Sequence, residues 1–275
     1  MTRYVYCVIT ICGLLLACAY WPAHARTTRA ASPSPGAWTF EVAPFSLWLP
    51  ALDGNATVRG READVDVSIS EFTETLIDHL KFAAVSRFEA HRHDLILTLD
   101  LVYLDLQEDD ATGPLGGDIK LEYSQLSLEF GAGYRLGTWP LGAASHPQVS
   151  LDILGGGRYV RLGADLEITG GGPLGADLEV DKDVDWIEPF IGARFRLMLS
   201  KSLSLAIRGD AGGFGIGSDM TWALVNTLQI QLSRRSVLLL GYRILDIDYE
   251  QGSGTTRFVY DIMMHGPTVG VMYRF

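Results

Sequence analysis

The chain has 275 residues, with 22 Lys and Arg against 33 Asp and Glu, a formal charge of −11. A strongly acidic chain without a Lys/Arg cluster argues against nucleic acid as a partner. The three cysteines, Cys7, Cys12 and Cys18, all lie near the N-terminus, so the rest of the chain can hold neither a disulfide framework nor a Cys-based zinc site.

The first residues point to export. A short n-region carries Arg3, an apolar run extends from Tyr4 to Ala19, and Ala23-His24-Ala25 is a small-x-small site. This is the pattern of a secretory signal peptide over 1–25. An N-terminal membrane anchor is the alternative, since the run is nearly long enough to span. Leu15-Leu16-Ala17-Cys18 also resembles a lipobox, which would leave Cys18 lipidated. Residues 26–37, "RTTRAASPSPGA", have no apolar period and are expected to be a disordered linker. No later stretch suits a transmembrane helix, which leaves a soluble all-β protein or a β-barrel for 38–275.

From Trp38 onward apolar residues recur with period two, the mark of half-buried strands. Segment 38–49 sets Phe40, Val42 and Trp48 against Glu41. The next segment, 68–80, "SISEFTETLIDHL", breaks the rule. Ile69, Phe72, Leu76 and Leu80 recur at helical spacing, and Ser68 with Glu71 forms a capping box. An amphipathic helix is therefore expected in the first long loop. Its apolar stripe must be covered, because an isolated helix of this length is marginal in water. Its acidic face does not suit an anionic lipid surface. The helix is expected to act as a plug or lid on the barrel, anchored by Phe72 and Leu76.

Period two then resumes. Segment 82–91 sets Phe82, Ala84 and Phe88 against Arg87 and Glu89, and 94–106 sets Leu95, Leu97, Leu99 and Leu101 against Thr98 and Asp100. Segment 119–136 sets Leu126, Leu128, Phe130 and Tyr134 against Glu129 and Arg135, and 148–162 sets Val149, Leu151 and Ile153 against Asp152 and Arg158. Segment 185–199 sets Ile187, Ile191 and Phe195 against Glu188, Arg194 and Arg196. Segment 202–214 sets Leu203, Leu205 and Ile207 against Arg208 and Asp210, and 220–232 sets Trp222, Leu224, Leu228 and Ile230 against Thr227 and Gln229. In 236–250, Leu238, Leu240 and Tyr242 oppose Arg243, with a parity shift near Ile244-Leu245 that moves Asp246 and Asp248 inward. In 257–275 Phe258, Tyr260, Ile262 and Met264 are even, whereas Val269, Val271, Tyr273 and Phe275 are odd. The switch falls at His265-Gly266-Pro267 and reads as a bulge.

About ten strands result, with eight or twelve as the alternatives. Short connectors ("HRHD", "SKS", "SRRS") alternate with longer ones at 50–81, 107–118, 163–184 and 251–256. That alternation fits a closed antiparallel transmembrane β-barrel with short periplasmic turns and longer outer loops. An even count puts both termini in the periplasm. Only a closed barrel pairs every backbone group of strands lying in lipid.

The last strand, Val269, Val271, Tyr273 and Phe275, resembles the C-terminal aromatic signature of outer-membrane β-barrel proteins. That resemblance implies recognition by the barrel assembly machinery and a place in the bacterial outer membrane, with its lipid as partner. The stretches "WTFEVAPFSLWLPALDG", "VDVSISEFTETLIDHLKF", "LDLVYLDL", "GYRILDIDY" and "HGPTVGVMYRF" further resemble a family of uncharacterised proteobacterial outer-membrane barrels. The resemblance implies an architecture and no site.

The lumen-facing residues carry the chemistry. The acids are Glu41, Glu89, Asp100, Glu129, Asp152, Glu188 and Asp210, and the bases are Arg87, Arg135, Arg158, Arg194, Arg196, Arg208, Arg243 and Arg274. A narrow solute channel would use them as a selectivity filter. The near balance of signs favours a structural network filling a small barrel. An enzyme would need an acid–base set at the outer rim. Asp261, His265 and Asp246 are the candidates, at unspecific spacing and without G-x-S-x-G. His91-Arg92-His93 reads as polar turn residues rather than a metal site, and no cofactor is expected. Neither "GGGR" (155–158) nor "TGGGPLG" (169–175) suits a phosphate loop. Trp38, Trp48, Tyr103, Tyr134, Tyr159, Trp186, Trp222, Tyr249 and Tyr273 read as interfacial girdles.

Overall fold

A computed structural model describes residues 36–58, 61–112, 118–142, 147–171 and 176–275. The signal peptide, the lipobox and nearly all of the linker lie outside the described residues. The strands are β1 (Thr39–Trp48), β2 (Ala51–Val58), β3 (Arg61–Val67), β4 (Leu80–Arg92), β5 (Leu95–Thr112) and β6 (Asp118–Pro140). They continue as β7 (Gln148–Gly171), β8 (Ala176–Met198), β9 (Leu203–Ile216), β10 (Ser218–Gln231), β11 (Ser236–Gln251) and β12 (Phe258–Arg274). One helix, α1 (Ile69–His79), stands between β3 and β4.

Strands β4 to β12 each pair antiparallel with the next, and β1 pairs with both β4 and β12. This closes a ten-stranded antiparallel barrel, as the period-two segments predict. Both ends of the barrel chain lie at one rim, where Phe40 and Phe275 exchange backbone hydrogen bonds of 3.2 and 2.9 Å.

The two further strands come from the first long loop. Strand β2 continues the line of β1 along β12: Trp48 faces Thr268 and Ala51 faces His265 in one register. Pro50, which has no N–H to donate, interrupts the ladder between them. Strand β3 folds back on β2. The alternation in "ALDGNATV" is weak, and its Gly, Asn and Asp disfavour strands. Pairing with β12 overrides that propensity.

Two of the other outer connectors are also shorter than expected. Most of 107–118 and 163–184 belongs to β5, β6, β7 and β8, the last three of which run for 23 or 24 residues. Backbone pairing carries these hairpins past the wall, since ladder hydrogen bonds need no particular side chain. By contrast, β9 and β10 meet at Gly217 alone, whose φ of +83° only glycine adopts freely.

Two side-chain environments stack along the barrel axis. In the half nearer the termini, apolar side chains point outward. Phe45 is 66 % exposed and Ile191 65 %. On β8 this outward run extends from Ile187 to Leu197, about 33 Å of strand. At a tilt near 40° it covers about 25 Å of axis, the height of a bilayer's apolar band. In the half nearer the loops the sense inverts. Val160, Leu162, Val184, Trp186, Leu245, Ile247, Tyr249, Phe258, Tyr260, Ile262 and Met264 pack inside as one core. Asp53, Asp183, Asp185, Asp248 and Asp261 are exposed on the outside.

That inversion corrects the two parity readings. The β11–β12 register runs unbroken from Ser236↔Tyr273 to Gln251↔Phe258, so no bulge exists at His265-Gly266-Pro267. Even residues of β12 face inward throughout, and odd residues of β11 do the same. Only the filling changes: toward the termini it is the small cluster of Val237, Leu239 and Met272 with Arg243 and Arg274, and toward the loops it is the large apolar core. Asp246 and Asp248 accordingly face outward, and Asp246 accepts a 2.6 Å hydrogen bond from Trp222 Nε1. Three expected girdle aromatics are core instead: Trp48, Trp186 and Tyr249 are buried, with the last two stacked at 4.0 Å. Trp48 turns inward because the register shifts between Val42 and Phe45, at Pro44.

Candidate functional site

Strand alternation makes each of β4 to β9 send one or more charged side chains inward, among glycines and small or apolar residues. Arg158 is the centre. It donates to Glu188 at 2.8 Å, Glu129 at 3.0 Å and Asp210 at 2.7 Å, and its side chain is fully buried. Arg208 pairs with Glu129, with Asp100 at 3.3 Å and with Asp210 at 3.1 Å. Arg87 holds the other oxygen of Asp100 at 2.5 Å. The Phe190 ring lies 5.7 Å from the Arg158 guanidinium and 5.5 Å from that of Arg208. Gly131 leaves room for this ring, since a Cβ there would sit 3.1 Å from it.

A second cluster lies closer to the termini. Arg194 on β8 reaches Glu89 on β4 at 2.6 and 2.9 Å and also holds Asp152 at 3.1 Å. Arg135 pairs with Asp152 at 2.8 Å, and Arg274 with Glu41 at 2.8 Å. The Arg194–Glu89 and Arg208–Asp100 pairs join strands four apart in the sheet order, so they cross the lumen. All fifteen predicted lumen charges are thus inside, and thirteen form ion pairs. Arg196 and Arg243 do not pair with an acid among the described residues. Arg243 stacks on Trp48 at 4.7 Å.

Reading the sequence missed the residues that cap this network. Glu188 also accepts from Trp186 Nε1 at 3.0 Å, Ser218 Oγ at 2.5 Å and Thr221 Oγ1 at 3.1 Å. These donors form the floor of the apolar core, and the parity inversion was the available signal for them. Glu41, Glu89 and His91 bring three potential metal-ligand atoms within 4.8 Å of one another. Both carboxylates are already held by Arg274 and Arg194, so the array is neutralised from within. His93 sits in the β4–β5 turn, with φ of +55°.

The rim residues Asp261, His265 and Asp246, the candidates for an acid–base set, are not brought together as one. His265 is bonded on the outer wall to Tyr242 at 2.7 Å and Asp53 at 3.0 Å, not to Asp261 or Asp246.

Helix α1 has the predicted capping box: Glu71 N–H donates to Ser68 Oγ at 3.3 Å, and Ser68 N–H to Glu71 Oε2 at 2.8 Å. Ile69, Phe72 and Leu76 are half-buried, no helix residue is fully buried, and Leu80 is the exposed first residue of β4. The helix touches β2, β4 and β5, which places it at the loop-end rim rather than within the lumen.

The Ser68 hydroxyl, and then its backbone N–H, hold the Glu71 carboxyl below its usual range. A depressed folded-state pKa adds helix stability above the unfolded value, and this is lost as pH falls through the folded value. The protection factors of amides in 69–79, corrected for the intrinsic pH dependence of exchange, should therefore fall below about pH 4. Ser68→Ala should speed exchange at neutral pH and flatten that acid response.

No family model matches the chain. No curated protein matches it either. Among solved structures it is similar to the translocator domain of the autotransporter NalP from Neisseria meningitidis, at 15% identity and a TM-score of 0.37 over 87% of this chain and 89% of that one. It is also similar to Neisserial surface protein A, at 13% identity and 0.26 over 86% and 97%. A third is the P. putida toluene transporter TodX, at 11% identity and 0.31 over 88% and 90%.

Proposed function

We propose that the chain is an integral outer-membrane β-barrel protein with a structural or interaction role, its interior filled by side chains and its termini periplasmic. The observation that carries this is the pairing of an apolar outer belt of bilayer height with ion pairs that cross the lumen. Lipid would cover the exposed Phe45, Leu47, Phe130, Ile153, Ile187, Ile191 and Phe195. The barrel assembly machinery would be the partner in folding. Helix α1 and the tall β5–β8 hairpins would be the parts presented outside, with α1 as a lid on the rim.

Planar-bilayer recording tests the filled lumen. Purified protein is expected to give no long-lived open state. A stable, ion-selective conductance would replace this reading with a narrow channel. The double change Phe72→Asp and Leu76→Asp should raise protease cleavage in 50–81 while leaving barrel stability within about 0.5 kcal/mol, as for surface substitutions. Unchanged cleavage would show that α1 does not dock.

A further inference from the structure

We propose that the terminus end of the lumen is a blind vestibule that binds a small oxyanion, a phosphate or carboxylate, through Arg196. The starting point is the charge left over by the network. Arg243 rests on the Trp48 ring, but the Arg196 guanidinium forms no ion pair and no hydrogen bond among the described residues, and its Nε is buried without an acceptor. The side chain as a whole is half-buried, and a guanidinium with a desolvated nitrogen is normally paired, because removing the charge from water is costly.

Arg196 lines two neighbouring cavities. The deeper, about 30 Å³, is bounded by Glu41, Glu89 and Arg194 among others. The outer, about 170 Å³, lies beside the β8–β9 turn and is lined by Arg196, Lys201, Arg274, Gln229, Gln231 and Ser202 among others. Among the described residues, no Asp or Glu lines the outer cavity. Its volume is several times the ~30 Å³ that one water occupies in the liquid.

The donors are only partly committed. Arg274 uses Nε on Glu41 and Nη1 on Gln231, which leaves Nη2. Gln229 accepts from Ser204 through Oε1, which leaves its amide N–H groups. Three cations and an amide thus line one cavity, together with the apolar Met198, Leu203 and Val237, in a chain of charge −11. Glu41 and Glu89 lie on the deeper side, each held by its own arginine. A planar guanidinium with a free fork suits a carboxylate or phosphate oxygen pair. The ion-pair clusters beyond it close the inner end, so the anion would bind without a path through.

The test is titration of inorganic phosphate into the full chain in neutral detergent, at constant ionic strength set with chloride, read by calorimetry. One saturable site is expected. Arg196→Gln should weaken it at least tenfold, Lys201→Gln about threefold, and Arg243→Gln not at all. Arg196→Gln strands no acid and should fold. Ser202→Trp, in the exposed β8–β9 turn, would block the mouth without touching buried residues and should abolish binding. Absence of saturable binding, or wild-type affinity in both Arg196→Gln and Ser202→Trp, would overturn the site. Displacement of phosphate by a few mole per cent of lyso-phosphatidylglycerol would support the site with a lipid headgroup as occupant. Lack of displacement with saturable phosphate binding would support it with a free anion.

Discussion

Arg158→Ala should largely abolish the folded barrel. The change leaves Glu129, Glu188 and Asp210 facing one another in a buried space, with a single arginine, Arg208, in reach of two of them. Removing one partner of a buried pair costs about 3–5 kcal/mol, and here three pairs fail together. Total stabilities are commonly about 5–15 kcal/mol, so most of the reserve is lost. Urea unfolding of protein refolded into lipid vesicles would measure it. Arg161→Ala is the matched control. The Arg161–Asp183 pair has the same 3.0 Å geometry but is 55 % and 59 % exposed, and such pairs contribute about 0–1 kcal/mol. If both variants unfold alike, the interior pairs are not what holds the lumen. Arg158→Met combined with neutralisation of all three acids should recover much of the loss, because a well-packed neutral core can replace a buried ion network.

The double change Tyr273→Asp and Phe275→Asp should remove folded, heat-modifiable barrel from the outer membrane of expressing cells. Strand β12 is paired on both sides, to β11 and to β1 and β2. Phe275 is 69 % exposed on the outer wall at the terminus-end rim. There the direct cost of a charge is small, about 0–1 kcal/mol per residue near an interface. Thermodynamics alone would therefore permit folding. The same variant should refold in detergent nearly as well as the parent. Loss in cells with retention in vitro would support the assembly signal. Normal folded levels in cells would refute it, and failure in both settings would assign the effect to the strand itself.

The sequence by itself determined the local layer of this structure. Period two in segments such as 94–106 and 185–199 specifies strands with one apolar and one charged face, because successive side chains point to opposite sides. Ser68 and Glu71 start α1 through contacts within one turn. Fifteen inward charges could be named because, through the belt, the outer face is apolar and so assigns the inner one. What failed was any inference that assumed one environment along a whole strand. Beyond the belt, water lies outside and the core inside, so the alternation of β11 and β12 reverses its meaning while the backbone runs straight on. Parity cannot distinguish that from a bulge, since both exchange the apolar face. The strands in 50–81 were equally hidden, because β2 owes its existence to the edge of β12, some two hundred residues away. Partner choice was also decided in three dimensions. That Arg194 meets Glu89 across the lumen, and that Arg196 is left over, follows from barrel diameter and strand stagger, which no local pattern encodes.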